Sequence, residues 1–201
     1  MSIFEDIESA LKADKRTLLG IIGEPGAGKS TLVEQIKEKF PGNSVAVLPM
    51  DGFHLSNKIL IERGIRNIKG APQTFDALGF VALLERVKAN LEEDIFIPVF
   101  HREIEESIAN EAVITSEVRV VIVEGNYLLF PEMGWGGVRE LLDMSYYIDL
   151  PQEIRIERLI ARHEKYGKTS QEAHDWVMGS DEANARLIRA TKELASKVIK
   201  I

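Results

Sequence analysis

Residues 17–31, TLLGIIGEPGAGKST, decide how this chain folds. Residues 17–22 (TLLGII) form a continuous apolar run ended by glycine, the pattern of a strand buried on both faces. A glycine-rich loop follows, and residues 31–40 then read as a helix stopped by Pro41-Gly42. A strand covered on both sides, turned directly into a helix, predicts a parallel sheet sandwiched between helical layers.

Working outward, the same period recurs. SVAVL (44–48), VRVVIV (118–123) and MSYYIDL (144–150) are further buried strands, and KVIKI (197–201) is placed to close the sheet. Between them lie helical patterns: Ile3, Ile7, Ala10 and Leu11; the stripe Phe80, Leu84, Val87 and Leu91; and segments 138–142, 152–166, 171–178 and 184–195. IFIPVF (95–100) reads as a strand that Pro98 confines to an edge, with residues 112–115 as its partner. Residues 52–75 and 98–115 are the candidate substrate-binding insertions, the first an ordered excursion able to act as a lid, and residues 152–178 are the candidate arginine lid. Strands alternating with helices imply right-handed crossovers and one α/β domain over residues 1–201, with ligands at the carboxyl ends of the strands.

Composition narrows the chemistry. With 201 residues, 45% hydrophobic, the chain suits one compact domain and not a disordered or collagenous one. The absence of cysteine removes disulfides, thiolate nucleophiles and cysteine metal sites. A net charge of -7 argues against nucleic acid as a partner. Short apolar runs argue against a membrane span, and the acidic, apolar opening MSIFEDIESALKADKR against a signal peptide, so a cytoplasmic location is expected. Oligomeric state stays open, a homodimer included. The four histidines show no metal-ligand spacing, and no structural zinc is expected.

Within the deciding stretch, Gly23-Glu24-Pro25-Gly26-Ala27-Gly28-Lys29-Ser30 matches G-x-x-x-x-G-K-[ST] between a strand and a helix, the context that gives this string its meaning. Glycines let successive N–H groups converge on one anion, and the helix N-terminus adds its dipole. Gly23, Gly26, Ala27, Gly28, Lys29, Ser30 and Thr31 are therefore candidates to hold a nucleoside triphosphate, with Lys29 at the β/γ phosphates and Ser30 on Mg²⁺. No N/T-K-x-D string for guanine is present, no Asp-Glu pair follows a strand to activate water, and the chain is short for a remodelling ATPase. Phosphoryl transfer from ATP to a small molecule remains, on a three-layer P-loop NTPase fold with a mostly parallel central sheet and a helical lid.

Two carboxylates stand at strand ends. Asp51, in PMDGFH, is placed to accept a proton from an attacking hydroxyl, or else to cap the turn before Gly52. Glu124, after VRVVIV, is placed to hold Mg²⁺, or else to bind loop backbone or Lys29. Asp149 ends the next strand, where Pro151 makes a turn role equally suitable. On the following helix Arg155, Arg158 and Arg162, spaced i, i+3, i+7, lie within about 60° of one another without acidic neighbours at helical spacing. This positive stripe suits a transferring phosphate, the alternatives being a solvated face or pairing with distant acids. Among weaker candidates, His54 either touches substrate or closes the Asp51 turn; Arg102 reaches a substrate hydroxyl or anion, beside an exposed His101; Lys69 contributes to a lid or is solvated. Tyr166 and Trp176 either stack on a ligand or, more commonly for such helices, join the core.

Together GEPGAGKS, MDGFH, RGIRNIKGAPQTFD, IPVFHRE, VIVEGNYLL and PQEIRIERLIARH resemble, over residues 17–190, the phosphoribulokinase/uridine kinase/pantothenate kinase group of P-loop kinases. The likeness is nearest to its bacterial nucleoside/nucleotide kinase-like, or fructose-transport-kinase-like, branch. It implies that Gly28, Lys29, Ser30 and Thr31 bind ATP phosphates and Mg²⁺, that Asp51 is the general base, Glu124 the glutamate near the metal, and Arg158 and Arg162 lid arginines. The aromatic Q-D-[ST]-F-Y of uridine kinases is replaced by DGFH, nearer to pantothenate kinases, so the acceptor stays open among sugars, nucleosides and pantothenate-like alcohols. A nucleotide-dependent switch or regulatory binding protein without metabolite kinase activity is the alternative.

Overall fold

The computed structural model describes residues 2–89 and 92–200. Helix α1 (Ile3–Ala10), opened by a Ser2/Glu5 capping box, precedes strand β1 (Thr17–Gly23) and helix α2 (Lys29–Lys39). Strand β2 (Val45–Pro49) leads through the 3₁₀ turn Met50–Phe53 to α3 (Asn57–Glu62), and two further 3₁₀ turns precede α4 (Ala77–Ala89). The ribbon β3 (Ile95–His101) and β4 (Glu106–Ile114) comes next, then β5 (Val120–Gly125), α5 (Gly136–Leu141) and β6 (Met144–Asp149). Helices α6 (Gln152–Lys165), α7 (Ser170–Trp176) and α8 (Glu182–Arg189) and edge strand β7 (Lys197–Lys200) complete the chain. Leu91 of the expected stripe and Ile201 of the expected closing strand lie outside the described residues.

The central sheet is parallel throughout, in the order β2-β5-β1-β6-β7. Alternation along β1 sorts the core into two layers. Leu18 and Ile22 pack with Phe80, Leu84, Val87 and Trp135 under α4 and α5, while Leu19 and Ile21 pack with Ile3, Ile7, Val33 and Ile36 of α1 and α2. All seven residues of β1 are buried, as its unbroken apolar run requires.

Pro98 stands where β3 and β4 shift register between Ile97 and Val99, so its missing N–H interrupts a separate two-stranded ribbon and not the central ladder. Residues 152–178 form the two expected helices, separated around Gly167, whose φ is +96°. One expectation changes. The expected helix 184–195 starts at Glu182, joined to α7 by a π-helical turn at Val177–Asp181, and ends at Arg189. No described helix is long and apolar enough to cross a membrane.

Candidate active site

The phosphate loop occupies the end of β1, the central strand. Gly26 and Gly28 adopt φ of +81° and +94°, the left-handed region in which a side chain costs about 1–2 kcal/mol. At Gly26 space also demands glycine, because a Cβ there would lie 2.8 Å from Arg155 O and from Leu159 Cγ on α6. The Lys29 ammonium donates to Gly23 O at 2.9 Å and to Asn126 Oδ1 at 2.6 Å. Burial lowers the Lys29 pKa, opposed by the negative charges of Glu124 and Asp51.

Register brings the carboxylates to this cradle. Parallel pairing sets Glu124 of β5 between Ile21 of β1 and Pro49 of β2, and Asp51 follows two residues beyond Pro49. Burial raises the Glu124 pKa, with Lys29 pulling it down and Asp51 pushing it up. The turn carrying Asp51 is braced from three sides. His54 Nδ1 lies 2.7 Å from Asp51 O, Ser107 Oγ donates to the same oxygen at 3.5 Å, and Arg102 Nη2 meets Asp51 Oδ2 at 2.9 Å. Gly52 is required because a Cβ would stand 2.5 Å from Pro98 O, where the β3–β4 ribbon crosses the turn.

One cavity of about 1180 Å³, which also extends past Phe4 of α1 and Val198 of β7, joins these parts. It is bordered by Gly26, Gly28, Lys29, Ser30 and Thr31, by Asp51 and Glu124, and by Arg158 and Arg162. His54, Lys69 and Arg102 line it as well. Gly23 and Ala27 do not: Gly23 ends the buried strand and Ala27 is packed in the core beneath the loop.

The arginine stripe divides. Arg158 is exposed, and its Nη1 lies 3.4 Å from where a Gly28 Cβ would be; Arg162 is half-buried, and burial lowers its pKa. Arg155 does not face the cavity: it is 1% exposed, its Nε 3.1 Å from Glu24 Oε2, its Nη1 donating to Pro25 O at 3.2 Å and its Nη2 paired with Glu182. Distant acids thus neutralise the one arginine that turns inward.

The remaining candidates find definite places. His54 closes the Asp51 turn and also faces the cavity, stacked between Phe75 and Phe100 at centroid distances of 4.0 and 4.4 Å. Burial lowers its pKa. His101, half-buried, is not simply exposed: it contacts Glu103 and Glu111. Lys69 is not solvated but buried, donating to Asn57 Oδ1 at 2.9 Å and to Glu105 O. Residues 52–75 form a tethered wall, since Tyr127 OH donates to Gly70 O at 2.7 Å and Trp135 Nε1 to Pro72 O at 3.3 Å. Asp149 accepts from Lys192 at 2.6 Å. Tyr166 is 56% exposed and Trp176 half-buried; both border the cavity, so neither is a core aromatic.

Sequence reasoning missed Asn126 as the acceptor for Lys29, although its place two residues after Glu124 at a strand end was a usable signal. It also missed Glu24, whose carboxylate accepts from Arg189 Nε and Nη2 at 3.0 and 2.7 Å and from Tyr147 OH at 3.2 Å. Residues 165 positions apart leave no periodic trace.

Known proteins resemble this chain in sequence and fold. The model of the phosphoribulokinase/uridine kinase family matches residues 18–200. A candidate uridine kinase of Schizosaccharomyces pombe is 31% identical over 188 residues, covering 89% of this chain and 80% of that protein. A pantothenate kinase of Streptococcus pneumoniae is 31% identical over 137 residues, 66% of this chain but 44% of its own. The crystal structure of a candidate fructose transport system kinase from Silicibacter sp. TM1040 superposes with a TM-score of 0.88 at 35% identity, covering 99% of both chains. A parallel sheet ending in a phosphate loop and strand-end carboxylates, matched along nearly its whole length, places this chain in the phosphoribulokinase/uridine kinase family of ATP-dependent small-molecule kinases.

Proposed function

We propose that the protein transfers the γ-phosphoryl group of ATP to a hydroxyl of a small metabolite, a sugar, nucleoside or pantothenate-like alcohol. The observation that carries this is the convergence on one cavity of Glu124 from the end of β5, Asp51 from the turn after β2 and Lys29 from the start of α2. The cradle amides and Lys29 bind and neutralise the phosphates, and Arg158 and Arg162 close over them from α6. Asp51 takes the acceptor's hydroxyl proton as the oxygen bonds to the γ-phosphorus and the bond from that phosphorus to the β,γ-bridging oxygen breaks, leaving ADP. Arg102 holds Asp51 through Oδ2, which leaves Oδ1 as the oxygen to take the proton.

Ser30 and Glu124 would hold Mg²⁺, with Asp51 near. No group of three or more described His, Cys, Asp or Glu side chains is arranged to hold a metal by itself. That donor set fits Mg²⁺, which is bound through one or two carboxylates plus substrate phosphates. When bound, the ion neutralises charge on the β and γ phosphates.

The test is ADP release from ATP and Mg²⁺ against a panel of acceptor alcohols. One acceptor should raise turnover at least about a hundredfold, and Asp51→Asn should cut kcat by about 10²–10⁴ while ATP still binds. Unchanged kcat in Asp51→Asn would remove Asp51 from the base role. ADP release indifferent to every acceptor, with a protein partner binding only the nucleotide-loaded form, would instead favour a nucleotide-dependent switch.

A further inference from the structure

The cations around the cavity outnumber the task that ATP sets them. Lys29, Arg158 and Arg162 adjoin the phosphate loop. Arg66 and Lys69 stand on the wall built by residues 52–75, beyond Asp51. Arg66, half-buried in the turn Arg66–Ile68, has no hydrogen bond or ion pair from its side chain among the described residues. Lys69 is 8% exposed, yet among the described residues its ammonium contacts neutral groups alone: Asn57 Oδ1, Glu105 O and the Phe100 ring, 5.3 Å away. Burial lowers its pKa, as does the positive charge of Arg66, with Glu105 and Glu106 opposing.

Carboxylates on the same rim do not make up the difference by contact. Asp51 is held by Arg102 at 2.9 Å, Glu103 by His101 at 3.0 Å, and Glu105 offers Lys69 its carbonyl oxygen. Two neighbouring cations, one buried, without a contacting anion are costly unless a ligand supplies one. Between Lys69 and the Asp51 turn runs the His54–Phe100 stack, with His54 Nδ1 against the Asp51 carbonyl oxygen and the Lys69 ammonium 5.3 Å from the centre of the Phe100 ring.

Resting on the kinase reading above, we propose that the acceptor is an anionic alcohol whose oxyanion, a carboxylate or phosphate, docks between Arg66 and Lys69 while its hydroxyl faces Asp51. A neutral nucleoside or free sugar leaves both cations unpaired. An oxyanion pairs them and fixes the distance from the anchored end to the reacting hydroxyl.

The test loads the protein with Mg²⁺ and a non-hydrolysable ATP analogue, so that the cradle is filled. D-glycerate, pantothenate and ribulose 5-phosphate, with glycerol, uridine and fructose as neutral controls, are then titrated calorimetrically into wild type, Arg66→Gln and the charge-keeping Arg66→Lys. At least one anion should bind, at least about tenfold more weakly to Arg66→Gln, with Arg66→Lys recovering part of the loss. Binding by the carboxylates alone or by the phosphate alone names the anion. Binding of neutral alcohols only, of no anion, or of an anion with equal affinity to Arg66→Gln overturns the proposal. ADP release measured on the same panel separates the two levels. Turnover of a neutral acceptor only sinks the anionic class and leaves the kinase standing, whereas Arg66-dependent anion binding without turnover sinks the kinase and leaves the subsite.

Discussion

Neutralising Glu24, a residue inside the phosphate loop, tests whether that loop is held from behind by helices α6 and α8. Its carboxylate is 9% exposed and faces Arg155 at 1% and Arg189 at 42% exposure. In Glu24→Gln, Arg189 can turn to water and loses little, about the worth of a surface pair, at most about 1 kcal/mol. Arg155 cannot turn away. Removing one partner of a buried pair costs about 3–5 kcal/mol, and because Glu182 and Pro25 O still hold Arg155, the lower end applies. A loss of about 3 kcal/mol in a domain of this size lowers Tm by about 6–12 °C. Urea unfolding of Glu24→Gln, Arg189→Gln and the double variant measures it, with Arg189→Gln expected to cost about 1 kcal/mol and the pair to couple by a similar amount. A Glu24→Gln loss under about 1 kcal/mol, or strict additivity, would refute the account of the loop as clamped by α6 and α8.

Arg162→Ala should lower kcat by about 10²-fold or more while the KM for ATP moves less than about threefold, read from steady-state ADP release; equal losses in both would make Arg162 a uniform binder of nucleotide. His54 supplies a pH test. Burial holds its folded pKa below the ordinary value of about 6.5, so the unfolded chain takes up the proton first. The stability it contributes is complete above about pH 6.5 and is lost as pH falls through the folded value. His101, raised by Glu103 and Glu111, works in the opposite sense, so the quantity to compare is the slope of Tm against pH in wild type and in His54→Gln. The variant should lose less stability on acidification from pH 7.5 to 5, both approximate limits spanning the unperturbed value; identical slopes would exclude His54 as a half-buried imidazole held neutral.

Local pattern carried a large part of this molecule. Apolar runs long enough only for strands, glycines where the backbone must turn left-handed, and a Gly-Lys-Ser helix start are short-range features, and they placed β1, the cradle, Asp51 and Glu124 in advance. Parallel strands joined by helices then left one end of the sheet for a ligand. Charge pairing was not legible in the same way. The stripe Arg155, Arg158 and Arg162 looked uniform by helical spacing, and tertiary packing split it, burying Arg155 against Glu24 and Glu182 and leaving the other two at the cavity. Arg102 finds Asp51 across 51 residues, and Lys69 is buried by a ribbon that begins 26 positions further on, at Ile95. The sequence determined by itself which backbone would cradle phosphate, because that depends on neighbours along the chain. Which charges are satisfied within the protein, and which are left facing the cavity, only the tertiary structure decided, because Coulomb partners are set by distance in space and leave no period in the chain.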